Sequence, residues 1–186
     1  MINSQVFAVQ DDSVSARVDT LSLALAQYVV AAVPVPKKFT VGDQAKYDTS
    51  LAGLPGSMTL TTKQIVPDGV WIEQINDTLF KKQVVLQLMD PVTGQLKRMI
   101  IDGKEQTPPD PANIEMVHDN PARITVPAGT FETRDILVRL IKENETSRQW
   151  VNVEDVAVLG MVKMDATFKG ASVKAELTGS SRVGEK

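Results

Sequence analysis

Over residues 39–177 apolar and polar side chains alternate with a period of two, and the alternation breaks only at short stretches rich in Gly, Pro, Asn and Asp. A period of two places successive side chains on opposite faces of a strand, and loops of a few residues return the chain beside itself in the reverse direction. The pattern therefore calls for antiparallel neighbours, and no helical stretch lies between strands to make a parallel crossover. Strands are predicted over residues 39–50, 58–65, 70–76, 83–89, 96–101, 124–140, 148–153, 161–168 and 173–177, about nine or ten in all if residues 114–117 add a short one. A two-sheet sandwich and a curved half-barrel both fit this order.

The most explicit element is Ile124-Thr-Val-Pro-Ala-Gly-Thr-Phe131. Pro127 presets one backbone angle and Gly129 permits a positive one, so a tight turn delivers Phe131 into a long strand. On that strand Ile136, Val138 and Leu140 share one face, and Asp135 and Arg139 the other. Pro67-Asp-Gly69 reads as a second hairpin turn. Residues 102–120 contain Gly103, Pro108, Pro109 and Pro111, with Pro121 next, and this is predicted to exclude long regular structure; 114–117 is a short strand or a helical turn.

Before the sheet, Val14, Val18, Leu21, Leu25, Tyr28, Val29 and Ala32 recur at helical spacing, with Asp12 or Ser13 as cap and Pro34 and Pro36 as terminators. One amphipathic α-helix over residues 13–32 is predicted. A single helix favours the half-barrel (or open barrel) over the sandwich, since one apolar stripe covers the concave face of a curved sheet. The expected fold is mainly β: a curved antiparallel sheet over residues 38–178, the helix, and a tail from 180 to 186, in one domain spanning residues 1–186.

With 186 residues the chain is long enough for one sizeable core. Twenty Lys and Arg against 23 Asp and Glu leave a net charge of -3, without the basic stripe of a nucleic-acid-binding protein. No Cys is present, which removes disulfides, thiol nucleophiles and thiolate metal sites. The apolar run 21–33 is too short to span a bilayer and is interrupted by Ser22 and Gln27, so no transmembrane segment is expected; Asp11, Asp12 and Asp19 precede it, opposite to the charge of a signal peptide.

Several separated stretches together resemble the bacterial domain-of-unknown-function family 3108. They are Phe39-Thr-Val-Gly-Asp43, Tyr47, Gly53 and Gly56 before an alternating strand, the Val-Pro-Ala-Gly-Thr-Phe element, and Trp150 followed by Gly160-Met-Val-Lys163. The match covers roughly residues 39–178, in order and approximate spacing. The resemblance implies an extracytoplasmic antiparallel β protein of Gram-negative bacteria, periplasmic or in the cell envelope. Its implied architecture is similar to the lipoprotein carriers and receptors that hold acyl chains in an open barrel. It carries no catalytic residue.

Chemistry-bearing patterns are sparse. His118, with Glu115 and Asp119 nearby, is the one candidate general base or metal ligand, against the plainer reading of a solvated loop histidine. Neither a nucleophile elbow nor a phosphate-cradling Gly loop is present, so catalysis, metals and cofactors are not expected. Met89, Met99, Met161 and Met164 fall in or beside strands, as core filler or as the lining of a cavity for flexible chains. Apolar residues occur on both faces of two strands: Val85 and Met89 against Val84, Leu86 and Leu88, and Met99 and Ile101 against Leu96 and Ile100. Each face of the sheet then needs cover. The sequence points to a non-enzymatic envelope protein holding a lipid or other hydrophobic ligand on a concave face, with Leu21, Leu25, Tyr28, Met89, Met99, Met161 and Met164 as the candidate surface. The alternative is an interaction protein that docks an envelope protein partner through the same surface or an edge strand.

Overall fold

A computed structural model of the protein describes residues 38–184. They form strands β1 (Gln44–Leu51), β2 (Leu54–Val66), β3 (Gly69–Thr78), β4 (Lys82–Met89), β5 (Leu96–Ile101), β6 (Lys104–Gln106), β7 (Ile114–Val126), β8 (Gly129–Leu140), β9 (Glu145–Val151), β10 (Met161–Phe168) and β11 (Ala171–Ser181). A single helical turn, Pro111–Asn113, separates β6 from β7, capped by the Asp110 side chain on the Ala112 N–H. All eleven strands belong to one antiparallel sheet in the order β6-β5-β4-β3-β2-β1-β11-β10-β9-β8-β7. The sandwich alternative is thereby excluded. The predicted helix 13–32, and with it Leu21, Leu25 and Tyr28, lies outside the described residues.

The order contains one break. Strands β1 to β6 meander to one edge, the chain crosses to the opposite edge, and β7 to β11 meander back to close against β1. Laid flat, eleven strands would separate the edges by about 48 Å. From Gln106 to Ile114 an extended chain reaches only about 28 Å. The sheet must therefore curl, and it remains open because β6 and β7 are not paired.

Register then decides what faces inward. Tyr47 lies between Leu177 and Met58, and Ala45 opposite Leu60 and Ser180. Tyr47, Met58, Leu60, Ile72, Met89, Met161, Met164, Val173, Ala175 and Leu177 share the concave face and form the main core with the loop residues Val156 to Leu159. That loop joins β9 to β10. Val156, Ala157, Val158 and Leu159 are at most 2% exposed and plug one end of the trough.

The β7–β8 hairpin completes the plug. Both strands overrun β9, whose pairing with β8 stops at Arg134. The overhanging arm crosses the trough, seating Val126 in the core with Ile124, Ala128 and Phe131 against it, and the Ala128 N–H donates to the Leu177 carbonyl at 3.0 Å. Leu177 is free to accept because β11 bulges there: Lys46 pairs with Gly179 and Tyr47 with Leu177, leaving Thr178 without an opposite residue. The Val-Pro-Ala-Gly-Thr-Phe turn is thus the inserted tip, with Gly129 at φ +140°.

The structure departs from the expected elements in three places. Regular structure does continue through the proline-rich region: β7 runs 13 residues from Ile114 and includes Pro121. Among the described residues its only partner is β8, so it is an edge strand there, and an edge tolerates a residue with no N–H to give. The short β6 hairpin after Asp102-Gly103 also went unpredicted, since three exposed polar residues show no apolar alternation. Ser180 and Ser181, assigned to a tail, still pair with Ala45 and Gln44.

The stretches that carry the family resemblance serve the fold. Asp43 clips the start of β1 to the end of β11, accepting the Thr40 N–H at 3.1 Å and the Val183 N–H at 2.9 Å. The buried Tyr47 hydroxyl donates to the Met161 carbonyl at 2.9 Å across the core, and burial pushes its phenol pKa up. Gly160 sits at φ +72° against the backbone of Val153 at the end of the plug.

Candidate functional site

The concave face has two different halves. Around β1, β2, β10 and β11 it is filled by the loop plug and the hairpin arm. Around β3 and β4 the inward residues instead mix apolar and amide side chains, with Met99 of β5 beside them. Across the β3–β4 ladder Gln74 faces Val85, Ile72 faces Gln87, and Asn76 faces Gln83. Val85 and Met99, both 0% exposed, form a cluster separate from the main core, flanked by Leu96 and Ile101.

Amides therefore share the inside of this half with methyl and thioether groups. Gln74 is 0% exposed, Asn76 3%, Gln83 4% and Thr62 0%. Gln74 Nε2 donates to Asn76 Oδ1 at 3.0 Å, and Asn76 Nδ2 points to Gln83 Oε1 at 3.5 Å. Gln74 Oε1 and the Thr62 hydroxyl, though buried, make no hydrogen bond among the described residues. A buried polar atom without a partner is costly, and it is uncommon in a finished core.

Of the sequence-predicted surface, Met89, Met161 and Met164 lie in the main core and Met99 lies in the separate cluster. All four face inward, and Met99 lies opposite the Gln87 amide on the adjoining strand. The amides themselves were missed. The reading of β4 weighted the apolar trio Val84, Leu86 and Leu88, which the structure leaves on the outer face, Val84 and Leu86 half-buried; Gln83, Val85, Gln87 and Met89 point in. Polar residues alternating with apolar ones at 83, 85, 87 and 89 were the available signal.

The two ends of the trough also differ. Strand directions put the plug and the β7–β8 tip at one end, and the β1–β2, β3–β4, β5–β6, β8–β9 and β10–β11 turns at the other. That second rim exposes Leu79 (75%), Phe80 (52%) and Ile141 (52%).

His118 sits on the outer, convex face. Its Nε2 lies 3.3 Å from Asp135 Oδ1, while Arg148 binds the same carboxylate through Nε at 2.8 Å and Nη2 at 2.5 Å. The Arg148 guanidinium, then the His118 contact, hold the Asp135 carboxyl below its usual range. Arg148 also covers the Trp150 ring at 4.8 Å, with Lys163 at 5.6 Å. Glu115 and Asp119, neighbours of His118 in sequence, pair instead with Arg139 and Arg134. The arrangement is an outer ladder of paired charges over an aromatic ring, and among the described residues no cluster of three or more His, Asp or Glu is placed to hold a metal ion. Among them too, no helix is long and apolar enough to cross a membrane.

No family model matches the sequence, and comparison with curated proteins finds no match. Two solved structures are similar in shape. One is a Bacteroides fragilis protein described as exported and as having a YmcC-like fold, with 12% identity and a TM-score of 0.44 over 81% of this chain and 100% of that one. The other is MucB, with 11% identity and a TM-score of 0.43 over 89% of this chain and 60% of that one.

Proposed function

We propose that the protein is a binding module of the cell envelope that holds a hydrophobic ligand against the concave face of β3, β4 and β5, and that it performs no catalysis. The observation that carries this reading is the contrast inside one sheet. Where the fold needs filling, the chain fills it with its own loop and hairpin arm; beside Val85 and Met99 it presents buried amides and a buried hydroxyl, and Gln74 Oε1 and the Thr62 hydroxyl have no hydrogen-bond partner among the described residues. A small apolar cluster with a few convergent polar groups is the usual dress of a ligand site. The envelope assignment rests on the sequence resemblance given above.

The test is a binding measurement with N-phenyl-1-naphthylamine, whose fluorescence rises in apolar surroundings, followed by displacement with long-chain lipids. Val85→Arg places a charge on the inward face and is expected to abolish the signal. Val84→Arg, next to it but facing out, is expected to leave it intact. Equal behaviour of the two variants, or no signal from the unaltered protein, rejects the reading. A second reading, docking of an envelope protein, is favoured by the exposed Leu79, Phe80 and Ile141 rim. Under that reading Phe80→Ser would weaken a protein complex and leave dye binding unchanged.

A further inference from the structure

The amide row suggests what kind of ligand the trough takes, an inference that rests on the binding function proposed above. Gln74 donates to Asn76, and the Asn76 amide points on to Gln83. Donation therefore runs one way along the row and leaves its head, Gln74 Oε1, as an acceptor with nothing to accept. On the adjoining strand Thr62 faces Ile72, two positions along the ladder from the Leu60–Gln74 pair and so on the same face, and its hydroxyl is likewise buried and unpartnered among the described residues. One free acceptor and one free hydroxyl, side by side on the same face, match a group that both gives and takes a hydrogen bond.

Charge narrows the class further. The inward positions 58, 60 and 62 of β2, 70, 72, 74 and 76 of β3, and 83, 85, 87 and 89 of β4 carry no ionisable side chain; their polar groups are one hydroxyl and four amides. A carboxylate or phosphate buried there would have no counter-ion, which is strongly disfavoured. Ile72, Val85 and Met99 beside the row supply an apolar bed for a chain.

We infer that Thr62 and Gln74 form the polar-recognition point of the trough, and that its ligand is an uncharged amphiphile whose acyl chain carries a hydroxyl or amide next to it, of the acylglycerol or N-acyl amide kind. The unsatisfied groups are kept because the guest satisfies them.

The experiment titrates the protein at neutral pH with 1-monooleoylglycerol, methyl oleate and oleate, which share a chain and differ at its head. The unaltered protein is expected to prefer monooleoylglycerol to methyl oleate by about tenfold, as one good buried hydrogen bond allows, and to bind oleate most weakly. Thr62→Val and Gln74→Leu each remove most of that preference and leave methyl oleate binding within about twofold. Thr62→Ser restores it. Thr62→Val also raises the Tm of the ligand-free protein, because it removes an unpaired buried hydroxyl; a hydroxyl with a purely structural role would lower it.

Binding of methyl oleate with no preference for monooleoylglycerol, or a preference untouched by Thr62→Val, overturns the inference and leaves the binding function standing. Failure to bind any of the three overturns both. Should Gln74→Leu not fold, Thr62→Val and its Ser counterpart decide the matter alone.

Discussion

The plugged half of the trough and the amide-lined half are cut from the same antiparallel sheet, yet they meet opposite fates. On β1, β10 and β11, and at Met58 and Leu60 of β2, the inward apolar residues pack into one core with residues the chain itself brings, from Leu159 in the loop to Val126 at the hairpin tip. On β3, β4 and β5 the buried inward residues Val70, Ile72 and Met89 join that core, and the others are amides or the small cluster of Val85 and Met99. The difference teaches that curvature alone does not make a site. What matters is where the chain spends its loops and where it withholds them.

The contrast can be broken by measurement. Leu159→Ala empties a fully buried position in the plugged half and is expected to cost about 3 kcal/mol in urea unfolding. Met99→Ala, in the small cluster, should cost about 2 kcal/mol, the low end for a buried Met cut back to Ala, because its cluster holds one other buried residue; equal losses would mean the two halves are packed alike. Gly160→Ala puts a Cβ 2.7 Å from the Val153 side chain at φ +72°, and about 2 kcal/mol is expected to be lost, with faster hydrogen exchange confined to the plug. Tyr47→Phe deprives the Met161 carbonyl of its donor and should lower stability by about 1 kcal/mol, leaving dye binding in the amide half unchanged.

The smallest effect concerns the outer face. Asp135 has its carboxyl pKa lowered from 3.8, chiefly by Arg148, so its charged form is favoured in the folded state. Its contribution is therefore present above the ordinary carboxylate pKa and is lost as pH falls through the lower folded value. Asp135→Asn is expected to cost less than about 1 kcal/mol at neutral pH. That deficit should vanish in acid unfolding below the normal carboxylate range. A deficit that persists there would assign the loss to packing against Trp150 instead.

The sheet was readable from the sequence because period two and turn chemistry are local. Pro127 and Gly129 announced the hairpin tip, and Pro67-Asp-Gly69 announced another turn. Where the tip would go was not readable. Its docking depends on a bulge at Thr178, some fifty residues downstream, where nothing local in the sequence marks it. Pro121 misled because proline argues against a central strand and says nothing against an edge, and edge status is a property of the whole topology. The candidate site was half legible. Met99 was picked for its softness, but Gln74, Asn76 and Gln83 were passed over because an amide in a strand is ordinarily taken to face water. Only the register, set by the neighbouring strands, turns them inward.

The break in strand order has a consequence for how the molecule comes together. Because β1 and β11 lie side by side, Gln44 pairs with Ser181, while the edges of the sheet are tied only by the stretch between Gln106 and Ile114. A circular permutant that fuses those paired ends and opens the stretch between the edges would visit its strands in pure spatial succession, one hairpin after another. Its sheet would no longer wait for the two most distant strands of the chain to find each other, so the rearranged protein should reach its native state sooner than the natural one.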